Sequence, residues 1–366
     1  MPEIAEVARV VHYLNRYLVG KTIKSAYALE DNILFKGDIA GELAGRKVLS
    51  VNRRGKYFWL ALDSKKCIVM HLGMTGWMHV RGIMTTPISW YKKLYTKNGD
   101  WPPKFWKFHM ETQEPDPMGF AFVNSRRIGK AEVVDADAAS VQSHLPLSKL
   151  GLDPIIDTIS LSWLHDQLSK RRCPIKTLLL QQDVMCGIGN WVADEILYQA
   201  RIHPQELCCD IDHATAARLH AVILSVCQLA VDKLADDTQF PDDWLFCHRW
   251  RRGKNGPGSL PNGEKLELVT VGGRTSCFAP VRQAINGREV KRDGTKITTK
   301  KMVKVKVDDE NYSAKDSKAG AKVARKKRVL VKEEIEDKLV EQPEKKTRRV
   351  TRSQTKVKPD ESVYFR

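Results

Sequence analysis

The chain has 366 residues, a formal net charge of +17 and an isoelectric point near 9.5. That length allows two or more domains, and the charge speaks for a polyanionic partner. The early apolar positions are periodic rather than continuous, and no run approaches the roughly 20 apolar residues of a membrane span, so neither a signal peptide nor a membrane is expected.

The charge is unevenly placed. Residues 288–366 hold 25 Lys and Arg against 14 Asp and Glu, so total charge alone does not identify the partner of the folded part. All eight Cys lie before residue 278, and no C-x-x-C pair occurs. A four-cysteine zinc site is excluded on spacing; mixed cysteine–histidine sites stay open, and buried thiols in a reducing compartment are expected.

In chain order, the first element is a helix beginning almost at once, with Val7, Val10, Val11, Leu14 and Leu18 on one stripe. Pro2 suits its first turn, and Glu3 and Glu6 suit the positive end of its dipole. A well-capped amphipathic helix accounts for all of this. The alternative is that Met1 is removed, which leaves Pro2 as a secondary amine beside a carboxylate. Residues 20–135 then read as strands: KTIKSAYAL, KVLSVNR, KYFWLAL, CIVMHL, FAFVN and KAEVVD. A β-sandwich after one helix is the economical architecture. Residues 84–108, Trp-rich and polar with three Pro, read as a long excursion or lid.

From residue 153 the pattern turns helical: SLSWLHDQLSK, PIKTLLLQQ, NWVADEILYQARI and HATAARLHAVILSVCQLAVDKLA. Residues 250–287 become loop-rich and β-like, with KLELVTV, GGRT and SCFAPV suggesting a hairpin. The tail beyond 288 lacks Cys and Trp and has only sparse apolar residues, so disorder is expected. Its clusters ARKKR and EKKTRR suit a solvated tail, nuclear import or nonspecific DNA contact.

Four stretches invite chemistry. PEIAEV opens the chain; RRGKY and HLGMTG follow; then comes NSRRIG; last are CGIGNWVADEIL and GGRT. In GIGN, Asn190 stands where an N-cap should be, and backbone N–H groups at such a turn can bind phosphate. An ordinary capped corner explains the turn equally well. Lys56 and His71 fall at strand ends and could pair with phosphates, or be a surface lysine and a satisfied histidine. Met74, on a Gly-flanked turn, could wedge into a base stack or belong to the core.

Together and in this order, these motifs resemble the formamidopyrimidine-DNA glycosylase branch of the formamidopyrimidine glycosylase/endonuclease VIII family, over about residues 2–287. The resemblance implies an α+β multidomain fold. A helix and β-sandwich would occupy residues 2–140, a helix–two-turns–helix DNA-binding domain 153–249, a β-hairpin finger 250–287, and a disordered basic tail 288–366.

The resemblance also implies a bifunctional DNA glycosylase and AP lyase that excises oxidised purines, with formamidopyrimidines and 8-oxoguanine as the candidate lesions, and cuts by β,δ-elimination. Pro2 would form the Schiff base at C1′, Glu3 would act as acid/base, and Glu6 would support them. Lys56 joins the catalytic set and, with His71, Asn190 and Arg274, the phosphate-binding set. Met74 and Arg126 would enter the stack where the lesion leaves, with Ile128 standing where the family usually has Phe.

Two departures stand out. Ala5 replaces a proline common in the family motif, and Cys277 is the sole Cys within residues 250–283. The finger therefore resembles the zincless variety of plant and fungal members, held by packing of Leu266, Val269 and Phe278. The implied protein needs no cofactor or metal, takes damaged double-stranded DNA as partner, works as a monomer and resides in the nucleus. An endonuclease VIII-like preference for oxidised pyrimidines and a catalytically dead lesion-binding protein are the alternatives. The Met74 and Arg126 segments speak against the first, and the retained Pro2 and Glu3 against the second.

Overall fold

The computed structural model describes residues 2–86, 101–249, 252–253 and 256–285. The basic tail with ARKKR and EKKTRR, and most of the stretch read as a lid, lie outside the described residues.

Helix α1 (Ile4–Tyr17) starts behind Glu3, whose extended backbone makes it the N-cap, and the Glu6 carboxylate accepts the Glu3 N–H at 2.9 Å. Pro2 thus lies before the helix rather than in its first turn, because the capping box takes Glu3 as its outer member. The helix packs Val7, Val10 and Leu14 onto a sandwich of two sheets.

The first sheet has the order β1 (Ile23–Ala28), β7 (Trp106–Thr112), β8 (Gly119–Val123), β6 (Trp77–Val80), all antiparallel. The second is β2 (Phe35–Lys36), β9 (Lys130–Val134), β5 (Cys67–His71), β4 (Tyr57–Leu62), β3 (Val48–Arg54), with only β2–β9 parallel. A short helix, α2 (Ile39–Leu43), sits at the sandwich edge. Between the sheets Phe58, Phe108, Phe120 and Phe122 are fully buried, each costing about 3–5 kcal/mol to truncate.

The continuous apolar runs of β4 and β5 have a reason. Trp59 and Val69, on the face away from α1, are covered by Val141 and Leu147, so the packing of this domain runs past residue 140. The lid reading is corrected in part. Trp106–Thr112 is a sheet strand whose Phe108, Met110 and Thr112 face inward in strict alternation.

The helical domain comprises α3 (Leu161–Ser169), α4 (Ile175–Leu179), α5 (Asn190–Gln199), α6 (His213–Asp232) and α7 (Leu245–His248). Ser160 caps α3 and Asp212 caps α6. Helix α6 is long and apolar enough to cross a membrane, against the expectation from the sequence; in this fold it buries Leu219, Ile223, Val226 and Ala230 in the helical core.

After the two-residue strands β10 (Arg252–Gly253) and β11 (Gly256–Pro257), β12 (Glu267–Val271) and β13 (Arg274–Phe278) form the hairpin. Gly272 and Gly273 both have positive φ, as a tight two-residue turn requires. Leu260, Leu266, Cys277 and Ala279 pack with Tyr198 and Leu245, and Phe278 meets His203 edge-on at 4.7 Å. Val269 is only half-buried, so it adds less than Leu266 and Phe278.

Candidate active site

The chain's beginning and the start of α5 meet. Ile4 N–H donates to Gly187 O at 3.1 Å. The Glu3 carboxylate accepts Trp191 N–H at 3.0 Å and Val192 N–H at 3.1 Å, which caps the positive end of α5 with a charge from 188 residues away. Gly189, not Asn190, is the N-cap residue; Asn190 is the first residue of the helix. The swap follows from space: a Cβ on residue 189 would lie 2.1 Å from the Glu3 carboxyl carbon.

Glu6 completes the knot. Its carboxylate accepts from Glu3 N–H at 2.9 Å and from the Trp191 indole at 3.1 Å. Burial, then the neighbouring Glu3 charge, push it up to about 7. Lys56, on the turn between β3 and β4, is buried beside this acid pair. Burial pulls its ammonium below the ordinary lysine range; Glu3 opposes that, and the Arg274 guanidinium adds to it.

The Lys56 turn is tied to the helical domain. Gly55 N–H and Arg53 both bind Asp153, at 2.7 and 2.9 Å, and Arg54 binds Asp157 at 2.6 Å. His71 ends β5 against Tyr57, ring centroids 4.7 Å apart. Burial and the Lys56 charge take it down to about 4, so it is neutral near pH 7. Its Nδ1 accepts Gly73 N–H at 3.1 Å, which leaves the proton on Nε2 as a donor.

Two loops carry Met74, Arg126 and Ile128. Gly73 has φ +66, and a Cβ there would lie 2.6 Å from Gly129 N and Ile128 C. Asn124 clips the loops together, donating to Leu72 O at 3.1 Å and accepting from Ile128 N–H at 3.2 Å; Ser125 and Thr75 hydroxyls meet at 3.0 Å. Met74 is half-buried, and Arg126 and Ile128 are exposed. Arg127 is held by Asp31 at 2.8 Å, so Arg126 is the guanidinium of this loop left to the solvent.

The structure therefore gathers Glu3, Glu6, Lys56, Asn190 and Arg274 around the start of α5, with buried Pro2 next to Glu3. The Asn190 amide donates to Thr275 O at 2.9 Å, which joins α5 to the hairpin that carries Arg274. Met74, Arg126 and Ile128 form a second group, linked to the first through His71. Among the described residues no cluster of three or more His, Cys, Asp or Glu suits a metal ion.

Sequence reasoning missed the groups beneath this site. Asp194 lies fully buried inside α5, where it binds both Lys176 and Arg249 and accepts the Cys277 N–H at 3.1 Å. Glu195 beside it accepts Phe246 N–H at 2.9 Å and the Gln199 amide at 2.8 Å. The available signal was the pair Asp-Glu in the middle of the apolar run WVADEIL.

Burial pushes Glu195 up to about 7 from an ordinary 4.5. A raised folded-state pKa stabilises the protein fully below pH 4.5, and the contribution is lost as pH rises through 7. Glu195→Gln, which keeps the shape without the charge, is expected to melt higher than wild type at pH 8, with the gap closing toward pH 4.5. Melting curves of both proteins across that range check it; a gap independent of pH would dismiss the titration.

The sequence pattern of the formamidopyrimidine-DNA glycosylase N-terminal domain matches residues 1–131, and that of the formamidopyrimidine-DNA glycosylase H2TH domain matches residues 150–242. The formamidopyrimidine-DNA glycosylase of Arabidopsis thaliana is 33% identical over 315 residues, covering 84% of this chain and 77% of its own. That of Pelotomaculum thermopropionicum is 27% identical, covering 78% and 100%. Two solved structures share the fold: the Lactococcus lactis enzyme bound to AP-site DNA (TM-score 0.60, 23% identity, 77% of this chain and 99% of that one), and a MutM protein with carbocyclic 8-oxo-G DNA (0.63, 22%, 77% and 100%).

Proposed function

The chain belongs to the formamidopyrimidine-DNA glycosylase family, and we propose that it is a bifunctional DNA glycosylase and AP lyase that removes oxidised purines from double-stranded DNA. The observation that carries this reading is the Glu3 carboxylate, pinned by two backbone N–H groups of α5 beside Pro2, Lys56 and Glu6.

Removal of Met1 makes Pro2 a secondary amine. An α-amino group titrates near 7.7–8, so a useful neutral fraction exists near pH 7. Its lone pair attacks C1′ of the damaged nucleoside, and the base leaves with the bonding electrons and a proton. The sugar then opens: the C1′–O4′ bond breaks, O4′ takes a proton, and the nitrogen lone pair forms the iminium, which makes the C2′ proton acidic. A base removes that proton, and the electron pair expels the 3′ phosphate by breaking its bond to C3′. Each Glu3 oxygen accepts one N–H and keeps a lone pair, so the carboxylate can carry a proton between sugar oxygen and solvent.

Neutral His71, through its Nε2–H, and the cations Lys56 and Arg274 supply donors for the phosphates flanking the extruded nucleotide. Met74, Arg126 and Ile128 fill the gap in the stack. The finger holds its shape by packing without zinc, and the enzyme works as a metal-free monomer. The basic clusters of the tail support a nuclear location.

Borohydride trapping on duplexes carrying defined lesions tests the proposal. A covalent adduct with formamidopyrimidine DNA, stronger than with oxidised pyrimidines, is the expected result. No adduct with any lesion defeats it.

Arg274 gives a second check. It is exposed at the hairpin turn, and a guanidinium can grip phosphate through two hydrogen bonds. Arg274→Ala is expected to cost about 1.5–3 kcal/mol, one to two decades in lesion-duplex Kd, with Arg274→Lys recovering part. Wild-type affinity in the alanine variant at physiological salt would show the finger to be idle.

A further inference from the structure

We propose that Phe105, with Lys104 over its ring, is a further DNA-contacting element that stacks on an unpaired or exposed base beside the lesion. The inference rests on the DNA-glycosylase reading of the site.

Phe105 stands one residue before β7, opposite Asn124 at the end of β8. Its carbonyl accepts the Asn124 N–H at 3.0 Å. Asn124 is the same residue whose side chain clips the two wedge loops together. Phe105 is therefore held at the loop end of the sheet from which Met74 and Arg126 extend.

The local backbone keeps the ring out of the core. Trp106 N–H closes a turn onto Pro103 O at 3.1 Å, and Phe105 within it has φ +66. For a bulky L residue that region is an outlier, and such strain persists where the surroundings impose it. Phe108, two residues past that turn on β7, is fully buried, whereas Phe105 is 37% exposed.

The ring also has a cation. Lys104 Nζ lies 5.1 Å from its centroid, and both residues are exposed. A flat ring for a base and a neighbouring ammonium for the adjoining phosphate are the two parts of a strand-binding surface that tolerates any sequence. The three wedge residues leave room for such a part. Met74, Arg126 and Ile128 include no aromatic ring, and the Arg126 guanidinium is the one flat group among them. An isolated surface Phe is by itself unremarkable. The tie to Asn124, the left-handed backbone and the paired lysine together are what single this one out.

The test uses the full chain and a duplex with a tetrahydrofuran abasic analogue, which cannot be cleaved, and 2-aminopurine at the two flanking positions in turn. Wild-type binding should change the fluorescence at one flank. Phe105→Gly should lose that change and bind five- to thirtyfold more weakly. It should also melt no lower than wild type, because glycine accepts φ +66 freely. A merely structural phenylalanine would give the reverse, lower melting and intact binding. Phe105→Trp should bind within about twofold of wild type, and Lys104→Ala should flatten the salt dependence by about one phosphate.

If Phe105→Gly keeps wild-type affinity and fluorescence, the inference is wrong while the function stands. If wild type does not distinguish this duplex from an undamaged one, the functional reading falls and this inference falls with it.

Discussion

Protein kept behind an uncleaved N-terminal tag is expected to give no borohydride-trapped adduct with lesion DNA, while Lys56→Met with a free terminus still gives one. The contrast matters because the site holds two amines. Lys56 is buried, and burial lowers its ammonium from the ordinary range, which is also how a lysine becomes a nucleophile. Pro2 competes on different terms. Once free, its amine belongs to the α-amino class rather than the lysine class, and as a secondary amine it reaches the iminium directly. Behind a tag it is an amide with no basic lone pair.

Binding separates this chemistry from simple misfolding: the tagged protein should hold a tetrahydrofuran-site duplex within about tenfold of wild type, since Arg274, His71 and the wedge loops are untouched. Full trapping by the tagged protein would transfer the nucleophile's role to Lys56, and Lys56→Met would then lose the adduct.

The elements that were legible in the sequence are those whose signal is local. Strands β4 and β5 show as apolar runs because both faces are covered, and the Gly272–Gly273 turn marks its hairpin. Strand β7 was equally legible, since Phe108, Met110 and Thr112 alternate with Lys107, His109 and Glu111. The prolines and tryptophans just upstream masked it, and they punctuate the stretch before the strand rather than the strand itself.

The site divides the same way. Pro2, Glu3, Lys56 and Asn190 could be singled out because short motifs carry them, and the fold brings them together. How they work together was hidden, because the contacts span the chain. Nothing near Gly189 reveals that a carboxylate from residue 3 will fill the space where its side chain would be, and so Asn190 took the cap in the reading of the sequence. Nothing near Arg53 announces Asp153, although that pair and the Gly55 N–H fix the Lys56 turn. Glu6 reads as a helix-end charge and proves to be the link between Glu3 N–H and the Trp191 indole.

Asp194→Ala is expected to be the most damaging single change to the folded protein outside the reacting groups. Asp194 and Lys176 are fully buried, and Arg249 nearly so. Removing the carboxylate strands two cations in the interior, which typically costs about 3–5 kcal/mol. At about 2–4 °C per kcal/mol for a unit of this size, melting should fall by roughly 10 °C.

The damage should be directional. Asp194 also accepts the Cys277 N–H, so its loss removes one tie between the hairpin and α5, leaving that of Asn190 to Thr275 O, as well as loosening α4. Cys277, almost fully buried in wild type, should then react with a thiol reagent well below the melting temperature, and lesion binding should weaken as Arg274 loses its platform. Asp194→Asn, which keeps an acceptor for Cys277, should fall between the two. Replacing Asp194, Lys176 and Arg249 together by leucine or methionine should recover much of the melting temperature, because no charge is then left unpaired. A melting shift under about 2 °C in Asp194→Ala, with Cys277 still protected, would mean that the hairpin is held by the Asn190–Thr275 hydrogen bond and by Leu260, Leu266 and Ala279 packing on Tyr198 and Leu245, without need of Asp194.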